Sequence, residues 1–218
     1  KEREKMKEDY IVVEHAVKKY KDTIALNDVS LTFAQNQIHG IIGRNGSGKT
    51  VLLKCICGLT RLTSGRIILD GKVVGKDMEI PDNIGAIIET PGFIKSFSGY
   101  DNLKYLASVR KMIGKEEIVS AMEKAGLDPA MKKHVGKYSL GMRQRLGIAQ
   151  AIMEKPDILI LDEPTNGLDK KGVEEFRNLI LAFKQEGKTI ILASHNAEDV
   201  RLLCDNVSEL DGGRLIEV

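Results

Sequence analysis

The sequence predicts an α/β fold with a mainly parallel sheet, a peripheral antiparallel layer and a helical insertion. Three observations carry this. Short apolar runs alternate with helix-length periodic segments, the pattern of a parallel sheet covered by helices. The runs at 158–161 and 190–193 are apolar throughout, as strands buried on both faces are. The early strand-like segments 11–17 and 24–33 carry polar alternation, which suits a half-exposed antiparallel layer. Composition agrees: 218 residues, 42% hydrophobic and 29% charged, describe a globular chain able to bury a core. The 33 basic and 31 acidic residues leave a net charge of +2, too little to mark a nucleic-acid binder. No apolar run reaches the length of a bilayer span.

The opening KEREKMKEDY has charges but no apolar stretch, so it reads as a solvated end rather than a secretory signal. A third strand at 37–42 leads into a Gly-rich turn, and 48–58 reads as a helix stopped by Gly58. Strands are expected at 65–69 and 84–88, and helices at 101–113 and 116–125, the latter ended by the GLDP at 126–129. Residues 139–154 form another helix, with Pro156 closing the link after it. Strand 158–162, helix 170–186, strand 189–193, helix 196–204 and strand 206–210 follow, with Asp211, Gly212 and Gly213 as a hairpin turn. The expected organisation is a single domain over 1–218, with a core at about 10–89 and 156–218 and a helical subdomain at about 90–155. There is no internal repeat and no long heptad run. Cys55, Cys57 and Cys204 lack any zinc-binding spacing, which points to a reduced, intracellular setting. Cys55 and Cys57, with Val51, Leu52 and Leu53, are expected to pack on the helix face behind the phosphate loop.

Residues 43–50 read Gly43-Arg44-Asn45-Gly46-Ser47-Gly48-Lys49-Thr50, matching G-x-x-x-x-G-K-[ST] between a strand and a helix. Glycines let successive backbone N–H groups face a phosphate, and the helix start adds partial positive charge. In this pattern the lysine reaches the β/γ-phosphates and the hydroxyl of Thr50 binds magnesium. The apolar strand at 158–161 ends in Asp162 and Glu163, at the edge where α/β sheets bind ligands. Asp162 suits a magnesium site, and Glu163 suits the base that orients and deprotonates an attacking water. GTPases share the loop but read guanine through an Asn-Lys-x-Asp element, and no Asn here precedes a Lys. Small-molecule kinases share it without needing the Asp162-Glu163 pair.

With these motifs in place, the chain from Tyr10 to Val218 resembles the ATP-binding cassette ATPases of ABC transporters, a P-loop NTPase fold. Seven separated motifs follow the family's order. Tyr20 resembles the aromatic residue that stacks on adenine. The loop Gly43, Asn45, Gly46, Ser47, Gly48, Lys49 and Thr50, with Val51 after it, resembles the first phosphate-binding motif, and Asp162-Glu163 ends the second. Tyr138-Ser139-Leu140-Gly141-Met142-Arg143-Gln144-Arg145 is similar to the LSGGQ-x-x-R signature, retaining Ser139 and Gly141. Asn166-Gly167-Leu168-Asp169 resembles the segment through which paired cassettes sense each other, and His195 the switch histidine at the γ-phosphate. Glu89 stands where the family usually has a glutamine near magnesium and the catalytic water.

The resemblance implies ATP and Mg2+ as cofactors, with Thr50, Glu89 and Asp162 at the metal and Glu163, His195 and Glu89 in the chemistry. Ser139, Gly141 and Asp169 would contact nucleotide across a dimer of cassettes. It also implies integral membrane permease subunits as partners and a cytoplasmic location on the inner face of the membrane through them, with no nucleic acid. Glu89 and the SLGM-type signature resemble the branch exporting bacitracin-like and lantibiotic peptides or conferring immunity to them. The alternatives are a soluble cassette ATPase in assembly or repair and a nucleotide-gated interaction module. Lys132, Lys133, Arg143 and Arg145 are expected to be solvated on the insertion.

Overall fold

The computed structural model describes residues 7–90 and 92–216. The reading of the first six residues as a solvated end lies outside them, as do Pro91, Glu217 and Val218. In chain order the strands are β1 (Ile11–Tyr20), β2 (Thr23–Phe33), β3 (Ile38–Ile42), β4 (Ser64–Leu69), β5 (Lys72–Val73), β6 (Ile84–Ile87), β7 (Ile158–Asp162), β8 (Thr189–Ala193), β9 (Asn206–Asp211) and β10 (Arg214–Ile216). The helices are α1 (Lys49–Ile56), α2 (Gly99–Arg110), α3 (Lys115–Lys124), α4 (Leu140–Ile152), α5 (Lys170–Gln185) and α6 (Ala197–Leu203). An antiparallel sheet runs β2-β1-β4-β5, and a second sheet runs β10-β9-β3-β8-β7-β6. The second is parallel except for the β9–β10 hairpin.

β7 and β8 are buried along their whole length, because the period of two sends alternate side chains into different cores. Leu159, Leu161, Ile190 and Leu192 join Leu103, Ile118, Met122, Leu146 and Phe176 beneath the helices α2 to α5. Ile158, Ile160, Ile191 and Ala193 join Leu52, Leu53, Ile56, Val13 and Leu26, where α1 lies between the two sheets. Helices α2 to α4 thus share one core with β8 and with β7, the strand that ends in the acidic pair. Cys55 and Cys57 are buried in the other, as expected.

Departures from the expected elements have local causes. α2 starts earlier because Ser98 caps it, accepting from the Asp101 N–H at 3.1 Å. It ends at Arg110 because Lys111 turns into the left-handed region at φ 55°. β5 and β10 were not expected as strands: they span two and three residues and exist through pairing to β4 and β9. The strand expected at 65–69 belongs to the antiparallel layer, paired to β1.

Candidate functional site

Between β3 and α1, residues 43–48 turn through backbone conformations that require glycine at two tightly enclosed points. Gly43 has φ 145°, and a Cβ there would lie 2.1 Å from the Leu210 carbonyl. Gly48 has φ 106°, and its Cβ would lie 2.6 Å from the Ala25 carbonyl. The β9–β10 hairpin braces this loop: Gly213 donates to the Ser47 carbonyl at 3.0 Å and accepts from the Asn27 N–H at 2.7 Å. No side chain caps the start of α1, so its first-turn N–H groups keep their capacity for an anion. Lys49 is buried, and its ammonium donates to the Gly43 and Arg44 carbonyls at 2.6 and 3.1 Å. The Ser47 hydroxyl is buried without a partner. An orphaned donor in a ring of glycines beside a lysine fits a phosphate group.

At the far side of the cleft, Asp162 ends β7 only 7% exposed, and the Thr50 hydroxyl donates to its Oδ2 at 2.7 Å. Burial pushes the Asp162 carboxyl above its usual range; the Thr50 hydrogen bond opposes this, and the adjacent Glu163 charge reinforces it. A hydroxyl and a carboxylate in contact are the hard oxygen ligands magnesium takes, together with substrate phosphates and water. Glu163 follows with φ 48°, and its N–H donates to the Ala193 carbonyl at 2.9 Å. Its Oε2 lies 2.7 Å from His195 Nδ1, while Oε1 is buried without a partner. A carboxylate with one oxygen uncommitted, held beside an imidazole, is equipped to accept a proton.

The cleft between loop and acids encloses about 480 Å3, with Asn45, Gly46, Ser47, Gly48, Lys49, Thr50, Val51, Glu89, Asp162 and Glu163 in its wall. Glu89 stands in that wall at φ 59°, yet its carboxylate accepts from the Lys54 ammonium at 2.7 Å. The added negative charge read from the sequence is therefore compensated by a lysine of α1. Tyr20 lies at the end of β1, 45% exposed, with the Lys18 ammonium 4.8 Å from its ring centroid, and is not in the wall. Ser139 caps α4, accepting from the Met142 N–H at 3.2 Å, and Asp169 caps α5, accepting from Gly172 at 3.0 Å. Gly141 abuts the Gly167 carbonyl, where a Cβ would come within 2.9 Å. These three also stand outside the wall.

Other residues enter it instead. Leu140 packs on Gly167, where a Cβ would come within 2.5 Å of its side chain. Gln144 is buried, and its Nε2 donates to the Pro164 carbonyl at 2.9 Å. The signal for Gln144 was an amide on an apolar helix face, in line with Ile148 and Ala151. Lys132 and Lys133 are exposed as expected, but the expectation for Arg143 and Arg145 is corrected: both are half-buried. Arg143 donates to the Tyr138 carbonyl at 2.6 Å, and Arg145 to Ala125 at 3.2 Å and Glu175 at 2.8 Å. Guanidinium stems of that length cover apolar surface while the head finds local acceptors.

Comparison with known proteins places this geometry. The sequence profile described as ABC transporter matches residues 26–166. An uncharacterized ABC transporter ATP-binding protein of Bacillus subtilis is 43% identical over 205 residues, covering 94% of each chain. The bacitracin transport ATP-binding protein BcrA of Enterococcus faecalis is 38% identical, over 96% of this chain and 69% of that protein. The lantibiotic transport ATP-binding protein SrtF of Streptococcus pyogenes is 39% identical, over 94% and 88%. Among solved structures, a dimeric bacterial ABC transporter cassette shares the fold at a TM-score of 0.85 and 24% identity, covering 95% of this chain and 97% of its own. The phosphate loop, the acid-ended strand and these matches lead to one conclusion: the chain belongs to the ABC transporter family, as one of its ATP-binding, ATP-hydrolysing subunits.

Proposed function

We propose that two copies of this cassette close around two ATP and use hydrolysis to drive separate integral membrane permease subunits, in export of, or immunity to, antimicrobial peptides. The observation that carries the catalytic part is the Glu163–His195 contact at 2.7 Å beside the phosphate loop. In this reading Lys49, Ser47 and the backbone of residues 43–50 bind the phosphates. Glu163 takes the proton of the attacking water, and His195 holds Glu163 and meets the γ-phosphate. Thr50 and Asp162, with Glu89 near them, would hold Mg2+, which neutralises phosphate charge when bound. Tyr20 supports the adenine ring. Ser139 and Gly141 at the exposed start of α4, with Asp169, complete the site of the partner cassette. The core at about 10–89 and 156–218 binds nucleotide, and the helical subdomain at about 90–155 passes motion to the permease, placing the protein on the inner face of the membrane. The bacitracin and lantibiotic transport names of two relatives support the peptide substrate and the membrane partner.

One experiment tests both halves. Glu163→Gln is expected to keep ATP affinity while turnover falls by about 100- to 10,000-fold, because positioning survives and the base does not. ATP-loaded Glu163→Gln, purified from detergent-solubilised membranes, is expected to bring down a multi-span membrane protein in stoichiometric amount. Unchanged turnover removes Glu163 from the role. Recovery only from the soluble fraction, with a soluble partner or none, removes transport and favours an assembly ATPase.

A further inference from the structure

Glu163 and His195 follow the ends of neighbouring strands, and their side-chain contact alone would be a weak way to fix two loops. The imidazole is exposed, and an exposed pair in water contributes little. A second tie lies beneath it. The Thr165 hydroxyl donates to Asp199 Oδ2 at 2.9 Å. The Asp199 N–H donates at 3.3 Å to Asn196 Oδ1, on the residue directly after His195. These links close a ring that runs Glu163, Pro164, Thr165, Asp199, Asn196, His195 and back to Glu163 through the 2.7 Å contact.

Asp199 is the buried charged member of that ring, 1% exposed. Its other oxygen accepts from Arg177 Nε of α5 at 2.7 Å. Arg177 also donates to Glu198 at 2.8 Å, so α5 and α6 are joined through the same guanidinium. The Arg177 pair holds this carboxylate at depth, because removing one member of a buried ion pair leaves the other uncompensated. That pair uses Oδ1 and leaves Oδ2 for the bond to Thr165, two residues beyond the proposed general base.

We propose that Asp199 is a positioning residue: through Thr165 on one side and Asn196 on the other, it sets the spacing of the two loops and so holds the Glu163 carboxylate against His195. The inference rests on the proposed role of Glu163. Thr165→Val removes the tie at nearly constant shape, Thr165→Ser keeps the hydroxyl, and Asp199→Asn keeps the shape of the acid without its charge. The readouts are kcat and KM for MgATP, the melting temperature and the imidazole 15N resonances of His195. The sequence has four histidines, and loss of one signal in His195→Gln identifies the resonance.

Thr165→Val is expected to stay folded, with KM within about twofold and kcat lowered by about 10- to 100-fold, the scale of a misplaced reacting group. Its His195 Nδ1 resonance should move toward its position in Glu163→Gln. Thr165→Ser should restore both, and adding Asp199→Asn to Thr165→Val should cost no further activity. If Glu163→Gln is inactive while Thr165→Val turns over normally, or if kcat falls with the His195 resonance unmoved, Asp199 does not position the pair. If Thr165→Val does not fold, Thr165→Ala carries the same readouts and the same two outcomes. Full turnover by Glu163→Gln instead overturns the reading beneath it.

Discussion

At Asp162 the demands of binding and of folding oppose each other. Burial holds its carboxyl above the unfolded value of 3.8, so the folded chain binds that proton more tightly than the unfolded one. Its contribution is favourable below the unfolded pKa and is lost as pH rises through the folded one, which leaves a stability deficit at neutral pH. Asp162→Asn is therefore expected to melt at a higher temperature than the parent at pH 7 without nucleotide, with the gain shrinking as pH falls into the carboxylate range. The same variant should lose magnesium-dependent nucleotide binding. Thermal scans across pH with and without MgATP check both, and a melting gain independent of pH would remove the Asp162 charge as its source. Glu163 carries strain of another form, in its backbone. Its φ of 48° is uncommon for a residue with a side chain, and it turns the chain out of β7 where the His195 contact forms.

At the scale of elements, side-chain caps mark where α4 and α5 begin. Asp169 carries the cap of α5, whose other end packs Phe183 into the core. Asp169→Ala should cost about 1 kcal/mol of stability, read as a lower urea midpoint at unchanged slope. No loss would show that the Gly172 bond contributes nothing. The sequence revealed those elements whose causes are local: the phosphate loop between β3 and α1 and the doubly buried β7 and β8. It concealed strands too short to carry a period, β5 and β10, and contacts that depend on a distant partner. Thr165 and Asp199 meet across 34 residues, and no spacing rule joins them. Arg145 looked like a solvated charge because its acceptors, Ala125 and Glu175, become neighbours only once α4 packs, whereas Arg143 turns back to the nearby Tyr138 carbonyl. Glu89 was legible as a departure from its family, whereas its pairing with Lys54 was not.

Across the whole molecule, β3, β7 and β8 send side chains into both cores, so the two cores are expected to open together. Cys55 and Cys57 report on this. Burial pushes their thiols up to about 11 and about 12, and both lie between the sheets. Alkylation of either near neutral pH is expected to occur at the rate of global unfolding, with Cys204 also slow because burial raises its thiol to about 11. Mass spectrometry of timed labelling checks this. Rapid modification of Cys55 or Cys57 below the unfolding transition would show that the layer of β1, β2 and β4 separates on its own.

The hairpin that braces the phosphate loop has a consequence for the order in which the protein comes into being. Residues 43–50 leave the ribosome early, but their glycines are shaped to fit against Leu210 and Gly213, which are synthesised long afterwards. Until β9 and β10 arrive, the loop lacks the wall it is moulded to and the hydrogen bond that holds the Ser47 carbonyl. A nascent chain therefore gains a finished nucleotide pocket only as β9 and β10 dock, and ATP cannot select the folded state any sooner.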